Sequence, residues 1–562
     1  MQKKSKNLTR PAEWIIQELV KRDNSSQKIL HSLKCRVSKK AGCGILSHTF
    51  LFAAYRKLIA AKEIEKNTKI EELLCVKKIR SQSGVSILTL LTMPFPCPGR
   101  CVYCPTEDRM PKSYVATEPA AARALALKFD PYEQIAYRIR ILEGNGHATD
   151  KIEIIIKGGT WSSYPKDYQQ WFIKEVFRAM NSPKIKKKSS PLLKNPYNRF
   201  EGEEKRNWTE KKLFSAQKKN ETAAHRCIGL TIETRPDFIT LQELKRLRDL
   251  GCTRGEIGVQ HTDNAVLDLI KRGHSRERVV QCTQLLKDAG FKVDFHLMQG
   301  LPGSTPKKDF HCAKDVYTSK DLQPDTIKLY PCVVMETAEL SGWLKDGRYT
   351  PYTSKTLLAL LAEIKAITPP YVRIARVIRD IPSDEILEGN KTTNLRQDIL
   401  MRMKKDGLVC RCLRCREIGH ISEEALRSYT QPPRYTERIY DASGGKEYFL
   451  SFESEDEKIL YAFLRLRFPS QEVEKLLPVF PELKDASIVR ELHTYGHLVP
   501  LSKREKDASQ HKGYGKKLLA YAESLSKNAG YARVAIIAGI GVREYYKKQG
   551  YRLEGTYMVK DL

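Results

Sequence analysis

The sequence of 562 residues lacks long hydrophobic runs, a dense set of cysteines and an excess of acidic residues. No apolar stretch reaches the roughly 18 residues that a membrane-spanning helix needs, so we expect a chain that spans no membrane. The N-terminal residues lead into no apolar segment, which predicts no secretory signal and a cytoplasmic location. Fourteen cysteines in a chain of this length are too sparse for a secreted disulfide framework.

The deficit of acidic residues is the strongest compositional signal. Lys and Arg number 98 against 67 Asp and Glu, a formal net charge of +31. This balance excludes an acidic solvating chain and favours a polyanionic partner, with nucleic acid ahead of a membrane surface. The hydrophobic content of 41% supports packed cores, and the length predicts two or three domains.

Basic residues concentrate in two segments. We interpret residues 1–80 as a helical region, either a cap with a solvated basic face or a docking surface for nucleic acid. Residues 181–220 have three prolines and little periodicity, which predicts a basic loop inserted between two structural units. A functional loop and a mobile solvated insertion both fit this second segment.

Between residues 81 and 368 short apolar segments alternate with stretches long enough for helices. Such βα repeats predict a parallel sheet with helices outside it, and six units fit a partial barrel. The predicted strands are residues 87–93, 152–156, 228–232, 255–259, 293–297 and 326–330.

Six of the cysteines form two triplets, whereas the scattered eight are typical of small buried side chains. Cys97, Cys101 and Cys104 directly follow the first predicted strand. Three thiolates on one loop can each bind one iron of a 4Fe–4S cluster and leave the fourth iron free. A structural zinc site or a coincidental cluster is the alternative, although zinc would require a fourth ligand nearby.

This cysteine spacing after a first barrel strand resembles the radical S-adenosylmethionine superfamily. Further polar or glycine positions follow later strands, at the edge where barrel enzymes place their sites. The resemblance implies that these positions contact S-adenosylmethionine: Gly158, Gly159, Thr160, Glu233, Arg235 and Gln260.

The second triplet, Cys410, Cys412 and Cys415, lies in a predicted linker over residues 369–440. Three thiolates suit a structural zinc ion if a fourth ligand arrives. His420 is one candidate for that ligand, and a residue from elsewhere in the chain is the other. Three reduced cysteines without a metal are the simpler alternative.

Residues 441–562 form a second α/β pattern, in which the glycine-rich segment 510–516 precedes an amphipathic helix. The segment resembles the pyrophosphate loop of GNAT acetyltransferases, where glycines and a helix N-terminus face the phosphates of CoA. A structural turn is the alternative. In that fold a tyrosine of the last helix serves as proton donor, which makes Tyr545 and Tyr546 candidates.

Together the two halves resemble the family of the catalytic subunit of Elongator, the tRNA wobble-uridine modifying enzyme, with its stand-alone forms. The matching strings are residues 151–160, 227–237, 256–260, 370–374, 379–382, 491–496 and 545–552. The resemblance implies a radical from S-adenosylmethionine that activates the methyl of acetyl-CoA, and carbon 5 of the wobble uridine as its target. Acetyl-CoA contacts are implied at Lys151, Glu491, Leu492, His493, Thr494, Gly513, Tyr514, Gly515, Lys516 and Tyr546.

The same resemblance implies several partners: a tRNA anticodon stem-loop, an external electron donor, and either a second copy of the chain or Elongator-type subunits. Lys151 is assigned a catalytic role on the resemblance alone. Two other functions remain open. A protein lysine acetyltransferase would need only residues 441–562, and a tRNA-binding scaffold would hydrolyse acetyl-CoA incidentally.

Overall fold

A computed structural model describes most of the chain. The described residues are 2–22, 25–42, 44–76, 84–184, 210–495 and 513–562. The sequence pattern also predicts a strand over residues 497–501. That segment lies outside these ranges, as do most of the basic insertion and residues 510–512 of the glycine-rich segment.

The N-terminal region contains four helices with a core of their own. They are α1 (Gln2–Val20), α2 (Gln27–Ala41), α3 (His48–Ala60) and α4 (Thr68–Leu74). Ile16, Leu33 and Tyr55 are buried in this core. Side-chain oxygens cap the N-termini of the last three helices, which satisfies backbone donors that have no helical partner.

The central region is a curled sheet of seven parallel strands in sequential order. The strands are β1 (Ser86–Leu91), β2 (Lys151–Lys157), β3 (Arg226–Thr234), β4 (Arg254–Gln260), β5 (Lys292–Leu297), β6 (Thr326–Leu329) and β7 (Arg373–Arg376). The partial barrel is therefore confirmed, with one strand more than the six units expected. Strand β7 lies in the segment that we interpreted as a linker, because its four residues are too few and too charged to stand out.

Helices follow each strand of the barrel and cover its outer face. They are α5 (Pro119–Ala126), α6 (Pro131–Gly144), α7 (Lys166–Asn181), α8 (Glu210–Asn220), α9 (Leu241–Asp249), α10 (Asn264–Leu269), α11 (Arg276–Asp288), α12 (Pro306–Thr318), α13 (Leu340–Lys345), α14 (Ser354–Ala366) and α15 (Leu395–Lys405). Two short helices, α16 (Leu413–Arg416) and α17 (Glu423–Leu426), lead to the second sheet. Among the described helices, none is long and apolar enough to cross a membrane.

The lumen of the barrel is charged. In β2, Ile152, Ile154 and Ile156 are buried against the helices, while Glu153 and Lys157 on the alternate positions face the interior cavity. Barrels of this class usually fill their centre with apolar side chains. Charged residues in that place indicate a lumen that holds polar groups or a ligand.

The C-terminal region is a second sheet of seven strands with mostly antiparallel neighbours. Its strands are β8 (Arg434–Ala442), β9 (Gly445–Glu453), β10 (Leu460–Phe468), β11 (Ala486–Thr494), β12 (Arg533–Ile536), β13 (Arg552–Glu554) and β14 (Tyr557–Asp561). Its helices are α18 (Tyr514–Asn528) and α19 (Arg543–Lys547). Among the described strands of this sheet, only β11 and β12 run parallel, with Ala486 to Val489 paired to Arg533 to Ile536.

A fully buried network of charges joins the two sheets. Asp325, just before β6, accepts from Arg490 of β11 at 2.9 Å and lies 3.5 Å from Arg465 of β10. Lys287 of α11 lies 3.4 Å from Glu447 of β9. All five side chains are at most about 1% exposed. Because an unpaired buried charge is costly, this network fixes how the two domains sit against each other.

Candidate functional site

The first cysteine triplet lies on the loop that follows β1, at the carboxyl edge of the barrel. Cys101 is buried, and Cys97 and Cys104 are half-buried. The backbone N–H of Gly99 donates to Cys97 Sγ at 3.4 Å, and Cys97 Sγ lies 3.6 Å from Thr160 Oγ1. Cys97 therefore faces the residues that follow β2.

A buried arginine acts on this loop. Arg272 Nη1 donates to Cys101 Sγ at 3.4 Å. The pKa of the Cys101 thiol is lowered to about 4, first by its hydrogen bond with Cys104 and then, against the opposing effect of burial, by the charge of Arg272. The pKa of Cys104 is raised by the same hydrogen bond and by burial. Cys101 is thus the thiolate of the pair, the form that binds metal.

The donor set fits an iron–sulfur cluster better than a single ion. In the described part of the chain, three ligand atoms lie within 4.8 Å of one another only at Cys410, Cys412 and Cys415, so the first triplet does not converge on one point. A cubic cluster takes each thiolate on a different iron and needs no such convergence. The buried Arg272 also has no carboxylate ion pair among the described residues, which suits an anionic group beside it.

The glycines expected to meet S-adenosylmethionine end β2 beside this loop. Gly158 and Gly159 have φ of +153° and +86°, backbone conformations that strongly favour glycine. A Cβ on Gly158 would collide with the side chain of Thr92. Gln260, at the end of β4, has φ of +71° and lines the lumen. Thr160 is buried next to Cys97.

Glu233 lies inside the lumen rather than at its rim. It is 3.4 Å from Lys157 and 3.3 Å from His296, and it accepts from Tyr114 at 2.9 Å. Burial alone would raise the pKa of Glu233, but Lys157 and His296 hold it well below its usual range. Glu233 is therefore ionised, with Lys157 and His296 beside it.

These charged groups are part of a larger set in the lumen. Glu256 is paired with Lys157 and Lys328, and His296 Nε2 lies 3.3 Å from it. Burial lowers the pKa of Lys328 to about 8, partly offset by Asp294 and Glu256. These residues line a cavity of about 660 Å³ that reaches from Tyr103 of the cysteine loop to the second sheet.

A second cavity of about 610 Å³ lies where β11 and β12 separate. The two strands pair only as far as Val489 and Ile536, and β11 then continues to Thr494 along β10. Most residues expected to contact acetyl-CoA line this opening: Glu491, Leu492, His493, Thr494, Gly513, Gly515, Lys516 and Tyr546. Tyr545, the other candidate proton donor, lines it as well.

Two expected contacts have other surroundings. Tyr514 is buried in the core of the second sheet, with its ring 4.8 Å from that of Phe452. Lys151 starts β2 but does not belong to the lining of either cavity. Burial raises the pKa of Tyr546 well above its ordinary value, so its phenol keeps its proton and can donate it.

The two cavities share a wall. It consists of six residues that line both: Val85, Glu153, Arg254, Lys292, Glu491 and His493. Glu491 is paired with Lys292 and accepts from Arg465 at 3.0 Å. Burial would raise the pKa of Glu491, but these two cations lower it to about 2. Burial also lowers the pKa of Lys292 to about 8.

The second triplet has converging sulfurs, with Cys410, Cys412 and Cys415 inside a 4.8 Å limit. The fully buried Lys365 donates to Cys410 at 3.4 Å and to Cys415 at 3.8 Å. His420 is not among the described residues whose ligand atoms converge there, and its Nε2 lies 2.5 Å from Glu417 Oε1. These sulfurs are therefore contacted by a lysine, Lys365, which no pattern in the sequence singles out.

Sequence reasoning also missed the charged lumen and the wall. Lys157 and Glu256 lie within segments 151–160 and 256–260, which we selected only for their similarity to a family. The alternation of charge and isoleucine in β2 was the available signal, since such a strand has one polar face. Arg272 carries no local signal, because its partner Cys101 is 171 residues away.

Comparison with known proteins agrees with this geometry. Residues 197–311 match the radical SAM superfamily, and residues 324–405 match the radical SAM C-terminal domain. Membership of that superfamily implies a 4Fe–4S cluster and S-adenosylmethionine.

Relatives extend along nearly the whole chain. A tRNA uridine(34) acetyltransferase of Methanocaldococcus infernus is 42% identical over 512 residues, which cover 89% of this chain and 90% of that protein. Human Elongator complex protein 3 is 35% identical over the full length of both chains. A solved structure of the archaeal Methanocaldococcus infernus Elp3, lacking part of its N-terminus, superimposes with a TM-score of 0.70 at 38% identity. It covers 85% of this chain and 100% of that one. The chain therefore belongs to the family of the tRNA uridine(34) acetyltransferases and Elongator complex protein 3.

Proposed function

We propose that this protein modifies the wobble uridine of tRNA at carbon 5 with the acetyl group of acetyl-CoA, by radical chemistry. Cys97, Cys101 and Cys104 would hold the cluster, and the glycines that end β2 would lie against S-adenosylmethionine. When bound, these two groups supply a carbon radical. The reaction is that of an acyltransferase whose second domain binds the thioester.

The shared wall is the observation that carries this proposal. A reactive carbon radical has to meet its partner without crossing bulk water, so the thioester cavity and the barrel lumen must be adjacent. Glu491 and His493 line both cavities, and they lie on the strand that the pantetheine would follow. Two separate enzymes fused by a linker would not need such a wall.

The chain's own residues give the thioester site its chemistry. Lys516, at the start of α18, and the N–H groups of that helix suit the pyrophosphate of CoA. The hydroxyl of Tyr546 keeps its proton at neutral pH and can donate it to a leaving thiolate. Lys292 and Glu491 form an ion pair, which places one positive and one negative charge where the two cavities meet.

The open side of the barrel supports tRNA as the substrate. Among the described strands β1 and β7 form the two edges of the sheet, and the lumen cavity extends between them. Arg123 and Arg138 line it on the side of β1, and Arg376 and Lys391 on the side of β7. Basic rims of this kind contact phosphates, while an unstacked loop base can enter the cavity.

For the second triplet we propose a structural zinc ion between the barrel and the second sheet. Cys412 is buried, and Arg373 of β7 pairs at 2.8 Å with Glu417, a residue of the same segment. Zinc binds thiolate sulfurs at about 2.3 Å in tetrahedral sites, which requires converging sulfurs of this kind. Lys365 Nζ lies against two of these sulfurs, at 3.4 and 3.8 Å.

The experiment is anaerobic reconstitution with iron, sulfide, S-adenosylmethionine, acetyl-CoA and tRNA, followed by mass spectrometry of nucleosides and of 5′-deoxyadenosine. Cys101→Ala is expected to abolish both products and to leave acetyl-CoA binding intact. Cys282→Ala is the matched control, because Cys282 is also fully buried but lies on α11, outside both triplets.

The outcome separates the three functions. Loss of both products in Cys101→Ala alone supports the radical enzyme. Acetylated lysine on a protein substrate, made equally by wild type and Cys101→Ala, would support a lysine acetyltransferase. Thioester hydrolysis without 5′-deoxyadenosine in the wild type would leave only the tRNA-binding scaffold.

A further inference from the structure

Two buried arginines flank the first cysteine triplet: Arg272, which donates to Cys101, and Arg235, which the family resemblance assigns to S-adenosylmethionine. Arg272 follows α10, and Arg235 follows β3. Both are more than nine-tenths buried. They approach the loop from segments that follow two different strands, β3 and β4, so their convergence is a feature of the barrel and not of local sequence.

Arg272 is a buried cation that lacks a carboxylate partner among the described residues. Its Nε donates to the carbonyl of Gly258 at 3.1 Å and to His274 Nε2 at 3.1 Å, and its Nη1 donates to Cys101 Sγ at 3.4 Å. Burial, and then Arg272 itself, lower the pKa of His274 to about 4, so this imidazole is neutral and accepts. A buried guanidinium requires an anionic partner, and for Arg272 this partner must therefore lie on the side of Cys101 Sγ.

Arg235 has one half of its guanidinium satisfied and the other half directed at the loop. Nε and Nη2 donate to Asp237 at 2.9 and 3.2 Å. Nη1 is buried and has no hydrogen-bond partner within the described structure. A Cβ on Gly99 would collide with this nitrogen, so a glycine between Cys97 and Cys101 lets the guanidinium approach. A buried donor left open in this way indicates an acceptor that the protein itself does not supply.

We propose that Arg272 and Arg235 form a guanidinium pair that holds the anionic cluster and sets its reduction potential. This inference rests on the proposed cluster site and does not depend on tRNA or acetyl-CoA. Reduction adds one electron from the external donor to the cluster, and neither arginine gains or loses a proton. Fixed positive charge in a site shielded from water favours the more negative, reduced cluster.

The charge of each arginine can be removed or kept. Arg272→Gln removes it, and Arg272→Lys keeps it with fewer donors. Arg248→Lys is the matched control, because Arg248 is fully buried and donates to the backbone carbonyls of Cys252 and Thr556, and neither residue belongs to the first triplet. Each reconstituted protein is titrated with dithionite and mediators, and the reduced cluster is followed by electron paramagnetic resonance. Bound iron is measured in parallel.

At a fixed potential we expect Arg272→Gln to lower the ratio of reduced to oxidised cluster at least tenfold, which is about 59 mV for a one-electron couple. Arg235→Gln is expected to act in the same direction, and Arg272→Lys to lie between Arg272→Gln and wild type. Arg248→Lys is expected to match wild type. Loss of iron from a folded Arg272→Gln, with iron retained in Arg272→Lys, would equally support a requirement for charge.

Other results would overturn the inference. One is an unchanged ratio in Arg272→Gln with full iron content. Another is equal loss of iron from Arg272→Gln and Arg272→Lys when both remain folded, since packing and not charge would then explain the arginine. If the wild type binds no cluster, or if Cys101→Ala binds as much iron as the wild type, the cluster assignment itself is wrong. That failure is distinct from a failure of the arginine pair.

Discussion

The buried charges between the two sheets allow a quantitative test of how the cavities are held together. Asp325 is fully buried and accepts from Arg490 at 2.9 Å, and its Oδ2 also accepts from the backbone N–H of Val293 at 2.8 Å. Asp325→Asn keeps the size of the side chain and removes its charge. The protein interior would then contain one carboxylate fewer to balance the cations Arg490, Arg465 and Lys287.

The expected cost is about 3–5 kcal/mol of unfolding free energy, because breaking one partner of a buried ion pair leaves an uncompensated charge. The pair of Arg276 with Asp315 is the control, since its side chains are 26% and 29% exposed and its distance is also 2.9 Å. Asp315→Asn is expected to cost less than about 1 kcal/mol. Both costs are measured from urea unfolding followed by tryptophan fluorescence.

Acidity and a double substitution complete the test. The pKa of Asp325 is held far below its usual range by Arg490, Lys287 and Arg465, which outweigh the opposing effect of burial. A depressed carboxyl stabilises the fold above the unfolded pKa of about 3.9 and loses that effect as pH falls toward the folded value. The difference in unfolding free energy between wild type and Asp325→Asn should therefore shrink below about pH 4.

The double substitution Asp325→Leu with Arg490→Met should recover much of the unfolding free energy that Asp325→Asn loses. A cost below about 1 kcal/mol for Asp325→Asn at neutral pH would refute the reasoning, since it would mean that water compensates these charges.

Three further outcomes are expected. Burial lowers the pKa of Lys292 to about 8, so the affinity for acetyl-CoA, measured by calorimetry, should fall as pH rises through 8. Lys292→Arg should remove that fall. A wild-type affinity that does not change with pH would contradict a role for Lys292 in the acetyl-CoA site. Cys412→Ser should lower the zinc bound per chain at least tenfold by elemental analysis, and equal zinc in wild type and variant would exclude this site. If the Tyr546 hydroxyl protonates the leaving thiolate, Tyr546→Phe should slow tRNA-dependent acetyl-CoA turnover by roughly 10²–10⁴-fold. Tyr545→Phe should have little effect on this rate. A larger loss of rate in Tyr545→Phe than in Tyr546→Phe would assign the proton donor to Tyr545 instead.

Much of the fold follows from local patterns. The six predicted barrel strands overlap six observed ones, because short apolar segments separated by helix-length spacers leave few other topologies. Strand β7 was missed, since Arg373 and Arg376 give it no apolar run. Lys151 was selected by likeness to a family alone; it starts β2 and lines neither of the two cavities.

The sequence by itself determined which chemistry is available: three thiolates on one loop, glycines at a strand end and a glycine-rich turn before a helix. Each of these depends on residues close in the chain, so their spacing constrains their geometry directly. Only the tertiary structure decided that Arg272 meets Cys101 and that Lys292 meets Glu491, 199 residues away. Such contacts result from the packing of whole sheets, whose many small contributions no local pattern records.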